Sequence, residues 1–193
     1  MYNIETIFAV PKSGQAVFAL RFKEESYANA DDNELYKVFR QWQDAEYLFD
    51  FFKTNKANLA YFDSRMMATQ AMERTLKQSH VLFERLIEAL AEAEKGNFSA
   101  LGSLFTNVDA APHHSDFVEQ KVKRFWLRLF AVRTDDDLYF ITGGAIKLTA
   151  SLQGDPKNPP PTDRELKKAR AVARYFREVV DKDKFYEVYE MII

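Results

Sequence analysis

Two nearly unbroken apolar stretches face each other across a short acidic gap. Residues 125–133 (FWLRLFAVR) and 138–142 (LYFIT) are dense in aromatic and branched side chains, and Asp135-Asp136-Asp137 between them supplies a polar turn. That is the pattern of a β-hairpin. Apolar residues occupy both parities of the first stretch, with Phe125, Leu127, Leu129 and Ala131 on one and Trp126, Phe130 and Val132 on the other. A strand of this kind is covered on both faces, so it belongs in the middle of its sheet. Arg128 is the exception, a cation on the parity of Trp126, Phe130 and Val132. It must snorkel, pair with a carboxylate or face a cleft. Gly143-Gly144 is expected to break the second strand, with Lys147 three residues beyond.

Elsewhere the pattern reads as an N-terminal hairpin and several helices. Residues 4–10 and 16–22 alternate around Pro11-Lys12-Ser13-Gly14, a second hairpin. Asp31-Asp32-Asn33-Glu34 reads as a capping box opening a short helix that buries Leu35, Val38, Phe39 and Trp42. Asp44 reads as an N-cap for a helix burying Tyr47, Leu48, Phe51 and Phe52. From about 64 to 95 the spacing of Met72, Leu76, Ser79, Phe83, Leu86, Ile87 and Leu90 predicts one long amphipathic helix, stopped at Gly96-Asn97. Residues 98–116 read as a helical turn and a loop. After Pro159-Pro160-Pro161, Thr162-Asp163-Arg164-Glu165 forms another capping box, and its helix is expected to bury Leu166, Ala169, Ala173, Phe176 and Val180. The tail KFYEVYEMII is apolar and aromatic, and its pattern fits a helix extension, a strand or a docking segment equally.

These elements define the expected fold class as α+β. A central antiparallel or mixed sheet carries a long helix and a capped C-terminal helix, with the N-terminal hairpin and short helices added. Residues 1–116 and 117–193 form the two sequence units, the first readable as part of the same domain.

The 193 residues are 47% hydrophobic, enough for one good core or two small ones. No apolar run approaches the roughly 20 residues of a membrane helix, and the N-terminus lacks a basic region, so a soluble, cytoplasmic, unprocessed protein is expected. Without cysteine there are no disulfides or thiolate metal sites. The net charge of −2 conceals an asymmetry: residues 117–193 carry 15 Lys and Arg against 12 Asp and Glu, and residues 1–116 carry 12 against 17. Lys121, Lys123 and Arg124 crowd the entry to the central hairpin, either as a phosphate-facing stretch or as a solvated charge run. His113-His114 has no third ligand at useful spacing and reads as a surface loop. No phosphate-binding loop follows Gly143-Gly144, and no cofactor is implied.

Taken together, the strand WLRLFAVR, the strand LYFITGGAIKLT, a proline-containing loop and the helix TDRELKKARAVARYF resemble the C-terminal half of the HigB/RelE-like toxins of type II toxin–antitoxin systems, including their phage-derived branch. The likeness covers about residues 120–180. Arg128 and Arg133 match the family's strand arginines, Lys147 its first turn lysine, and Glu165 with Lys168-Ala169-Arg170 its helix. The chain departs from the pattern at Leu148, where the family has a second lysine, and in the following TASLQ.

The resemblance implies a metal-independent mRNA interferase, or a degenerate relative, in which a ribose 2′-OH attacks the adjacent phosphate. Arg128, Arg133 and Lys147 would then be catalytic cations, and Lys121, Lys123, Arg124, Lys168 and Arg170 would bind RNA. Tyr139 or Tyr175 would relay protons. It also implies a cognate antitoxin, expected as a helix-turn-helix DNA-binding protein, contact with ribosome and mRNA, and no membrane. The alternatives are a toxin-like protein that binds a partner without catalysis, and an unrelated small α+β protein.

Overall fold

A computed structural model of the chain describes residues 2–9, 16–97, 99–107, 117–120, 125–134, 138–154 and 159–178. The expectations for Pro11-Lys12-Ser13-Gly14, His113-His114, Lys121, Lys123, Arg124, Asp135-Asp136-Asp137, Val180 and the tail lie outside these residues.

The hairpin that dominates the sequence occupies the middle of a six-stranded sheet, as its doubly apolar pattern requires. In chain order the strands are β1 (Tyr2–Ala9), β2 (Ala16–Phe22), β3 (Phe105–Asn107), β4 (Phe117–Gln120), β5 (Leu127–Arg133) and β6 (Leu138–Ile146). Their order across the sheet is β1-β2-β6-β5-β4-β3. All neighbours are antiparallel except β2 and β6, which run parallel with Ala16 opposite Leu138 and Ala19 opposite Ile141. The sheet is therefore mixed and the fold is α+β. The edge strand β3 and its neighbour β4 are both short, and the sequence pattern predicts neither. A three- or four-residue strand offers too few alternations to stand out.

Helices cover both faces. On one side lie α1 (Glu34–Gln43), α2 (Ala45–Thr54), α3 (Lys56–Phe62) and the long α4 (Ala68–Glu94), with α5 (Ser99–Leu104) leading into β3. They close over Val17, Ala19, Leu127, Leu129, Ala131, Tyr139 and Ile141 to make the main core. On the other side α6 (Pro161–Glu178) packs Val172, Ala173 and Phe176 over Phe18, Leu20, Val132 and Phe140, and Leu166 and Ala169 over Phe130 and Ala145. Fully burying a side chain such as Phe130 contributes roughly 1.5–3 kcal/mol.

Several local expectations need correction. The cap of α1 is Asn33, whose Oδ1 accepts from Leu35 N at 3.0 Å and Tyr36 N at 3.2 Å, so Asp31 is not the cap. Glu34 then becomes the first helical residue, turned into the protein rather than back to the cap. The four apolar residues expected from α1 are all buried. Asp44 does cap α2, and Leu48 and Phe52 are buried, but Tyr47 stays exposed and Phe51 is half-buried.

The buried stripe of α4 is Ala71, Thr75, Gln78, Ser79, Leu82, Leu86, Ala89, Leu90 and Ala93, which leaves Ile87 partly exposed and Phe83 at the margin, its ring edge-on to Phe39. Small residues at the contact let α4 approach its neighbours closely, and a stripe chosen by the largest apolar residues misses that. The C-terminal helix begins at Pro161, which tolerates the first helical position because it lacks an N–H. Thr162 is thus inside the helix, and its hydroxyl donates to Leu152 O at 2.6 Å.

Gly143-Gly144 does not break β6. Phe130 pairs with Gly143 and Ala131 with Ile141, so Thr142 is an extra residue that bends the strand. Gly143 adopts φ +147, a backbone region open mainly to glycine. Gly144 is required by space: a Cβ there would meet Arg128 O and Val38 Cγ1 at 2.8 Å and the Trp42 ring at 2.9 Å.

Candidate functional site

Alternation along β5 decides where two of the three proposed catalytic cations, Arg128 and Arg133, point. Leu127, Leu129 and Ala131 face the α1, α2 and α4 side, and Phe130 and Val132 face α6. Arg128 therefore stands on the α6 side and Arg133 on the opposite one. Five residues separate them, about 16 Å along an extended strand. Arg133 stacks over Tyr139, 5.8 Å from the ring centroid, and Tyr139 itself is buried against Phe105. The structure does not bring Arg128 and Arg133 together.

Arg128 and Lys147 do share one end of the hairpin. Arg128 pairs with Ala145, and its Nη1 donates to Phe125 O and Leu127 O, each at 2.8 Å. Lys147 continues the ladder: its backbone N donates to Trp126 O at 2.7 Å and its Nζ to Ala150 O at 2.9 Å. Ile146 and Leu148 both enter the main core, so alternation places Lys147 on the α6 side with Arg128. Diagonal neighbours of this kind are separated by about 7–8 Å.

Both cations are thus tied to the Phe125–Trp126 segment, which the sequence reading placed in the strand. Trp126 does not share the face of Arg128. It precedes β5 and turns under α4, packing on Phe52 and Phe62 at 5.4 and 5.3 Å between centroids. Its Nε1 donates to Thr75 Oγ1 at 3.1 Å, and its backbone N donates to Gln78 Oε1 at 3.0 Å. Arg74 lies over the same indole at 4.6 Å. Beside it runs a groove of about 500 Å³, lined by Phe125 and by Gln70, Glu73, Arg74, Lys77 and Gln78 of α4.

The two α6 cations assigned to RNA part company. Arg170 is exposed on α6. Lys168 is turned inward and belongs to a buried ionic cluster that no local pattern announces. Its Nζ donates to Glu34 Oε2 at 2.8 Å and lies 2.7 Å from Glu165 Oε2, without the alignment of a hydrogen bond to the latter. Glu34 Oε1 accepts from Tyr27 Oη at 2.7 Å and Lys37 Nζ at 3.0 Å, and Lys37 also reaches Glu25 Oε2 at 2.8 Å. Arg164 closes the chain on Glu25.

Burial pushes the Glu165 carboxyl above its usual range, against the pull of Lys168. Burial likewise draws the Lys37 ammonium down, but the Glu25 and Glu34 carboxylates outweigh it and hold it above its ordinary value. This cluster ties the β2–α1 connection and α1 to α6. It is filled with its own ion pairs and holds the fold.

Of the tyrosines assigned to proton transfer, Tyr139 is in the core and Tyr175 is exposed on α6. Among the described residues no group of three His, Asp or Glu side chains is placed to hold a metal, and no helix is long and apolar enough to cross a membrane. No protein-family model, curated protein or solved structure matches the chain. What fold and site together define is an α+β protein with a cation-bearing hairpin end next to an open helical groove.

Proposed function

We propose that this chain is a toxin-like protein of the HigB/RelE kind that binds RNA at the Arg128–Lys147 end of its central hairpin and does not cleave it. The observation that carries this is the split among the matched cations. Arg128 and Lys147 lie on one face at one strand end, while Arg133 sits about 16 Å away on the other face. Two cations on one rim suit a phosphate backbone. In-line attack by a 2′-OH needs more than that, namely charge gathered around one phosphate and a proton donor and acceptor beside it. Tyr139, buried under Phe105, is closed to that role.

Fluorescence anisotropy with labelled oligouridylate tests the reading. The wild type should bind, with affinity falling steeply as salt rises. Arg128→Ala and Lys147→Ala should each weaken binding about tenfold. RNA recovered after incubation should be intact, and induced expression should leave growth unaffected. Growth arrest with cleaved mRNA would restore the interferase reading, and no binding at low salt would remove RNA altogether. An antitoxin partner belongs to the same proposal, and co-purification with the product of a neighbouring gene is its test.

A further inference from the structure

The groove beside Phe125 has an unusual balance of donors and acceptors. Gln78 is 3% exposed, and its orientation is fixed because Oε1 accepts the Trp126 backbone N–H, so its NH2 end is the one left to face the groove. Gln70 is held the same way, its Oε1 accepting Met67 N at 3.0 Å. Arg74 and Lys77 add a guanidinium and an exposed ammonium, and Glu73 is the single carboxylate in the lining. The two fixed amides and the Lys77 ammonium, against one carboxylate, favour a ligand rich in acceptors. The half-buried Phe125 ring forms an apolar wall, and the volume of about 500 Å³ falls within the range that takes a small organic ligand.

We infer that this groove holds one unpaired nucleotide of a single-stranded RNA. The base lies against Phe125, its carbonyl and ring-nitrogen acceptors meet the Gln78 and Gln70 amides, and the phosphate faces Arg74 and Lys77. Aromatic stacking combined with cations along the backbone is how sequence-tolerant single-strand sites are built. A pocket of fixed amide donors adds a preference for bases with acceptors at their edge. The inference rests on the RNA reading above, extends it to a second contact surface across the Phe125–Trp126 segment, and assigns work to α4 residues that the family resemblance does not reach.

The test uses the full chain and the same labelled oligouridylate. Gln78→Glu keeps the acceptor for the Trp126 N–H and replaces the donor with a charged oxygen. Lys77→Glu reverses an exposed charge and leaves the fold untouched, so it serves if the buried change impairs folding. Each should weaken binding about tenfold, and Phe125→Ala comparably. Photo-crosslinking with 4-thiouridine in the oligonucleotide should label the peptides carrying Phe125 and Lys77. Wild-type affinity in Lys77→Glu and Gln78→Glu, with Arg128→Ala still weakened, would overturn the groove and leave the hairpin end standing. Loss of all RNA binding in the wild type would overturn both. Uridine monophosphate binding as tightly as the oligonucleotide would make this a free-nucleotide site and overturn the polymer.

Discussion

Lys168 Nζ donates to Glu34 Oε2 at 2.8 Å, joining the C-terminal helix to the first residue of α1 across 134 positions of sequence. Glu34 is almost wholly buried and Lys168 nearly so. Removing one partner leaves the other in a low-dielectric site with an incomplete set of bonds. Lys168→Met, which keeps the stem and loses the charge, should lower the free energy of unfolding by about 3 kcal/mol. Urea denaturation measures this. Adding Glu34→Gln should recover part of the loss, because the pair is coupled. Strictly additive losses would mean that the two residues act independently.

The Glu165 carboxyl gives the fold a pH dependence of definite sign. Burial raises it, while Lys168 pulls it down and Glu34 reinforces the rise. The folded chain therefore keeps this proton to higher pH than the unfolded chain, whose carboxyl titrates at about 4.3. The associated stability is present below that value and is lost as pH rises through the folded one. Glu165→Gln cannot titrate. Relative to that variant, the wild type should lose unfolding free energy between pH 4 and 7 in urea titrations, and a constant difference would contradict the assignment.

Gly144 marks where α1 touches the sheet. A methyl group there would press on the Arg128 carbonyl oxygen as well as on Val38 and Trp42, and a backbone oxygen in a ladder cannot move aside. Gly144→Ala should cost about 1–3 kcal/mol, lowering the melting temperature by roughly 5 °C. Calorimetry on this variant measures the contact directly. An unchanged melting point would mean that α1 is free to lift from β6.

What could be read in advance was whatever is periodic and local. The doubly apolar run through Leu127, Leu129 and Phe130 placed β5 inside the sheet, and the spacing of Leu35, Val38, Phe39 and Trp42 gave the buried face of α1. Asp44 was legible as a cap because its carboxylate needs only the next three residues. On α4 the expected stripe is right at Ser79, Leu86 and Leu90, and elsewhere the buried residue is the one before it, Ala71 for Met72, Thr75 for Leu76 and Leu82 for Phe83. Alanines and polar groups form the contact there, and Thr75 and Gln78 are buried because Trp126, some fifty residues on, uses them. Glu34 looked like part of a cap for a similar reason. Nothing near it in sequence announces Lys168.

For the candidate site, the side on which Arg128 and Arg133 point was already fixed by their odd separation on one strand. The groove was not, because its wall comes from Phe125 and its floor from α4.

The parallel pairing of β2 with β6 governs how this chain must fold as it is made. Ala16 waits for Leu138, so roughly 120 residues emerge before the sheet can close. Until then the N-terminal hairpin has an unsatisfied edge along β2, a surface open to wrong partners on a nascent chain. A long-range closure of this kind points to slow folding and to a need for protection during synthesis.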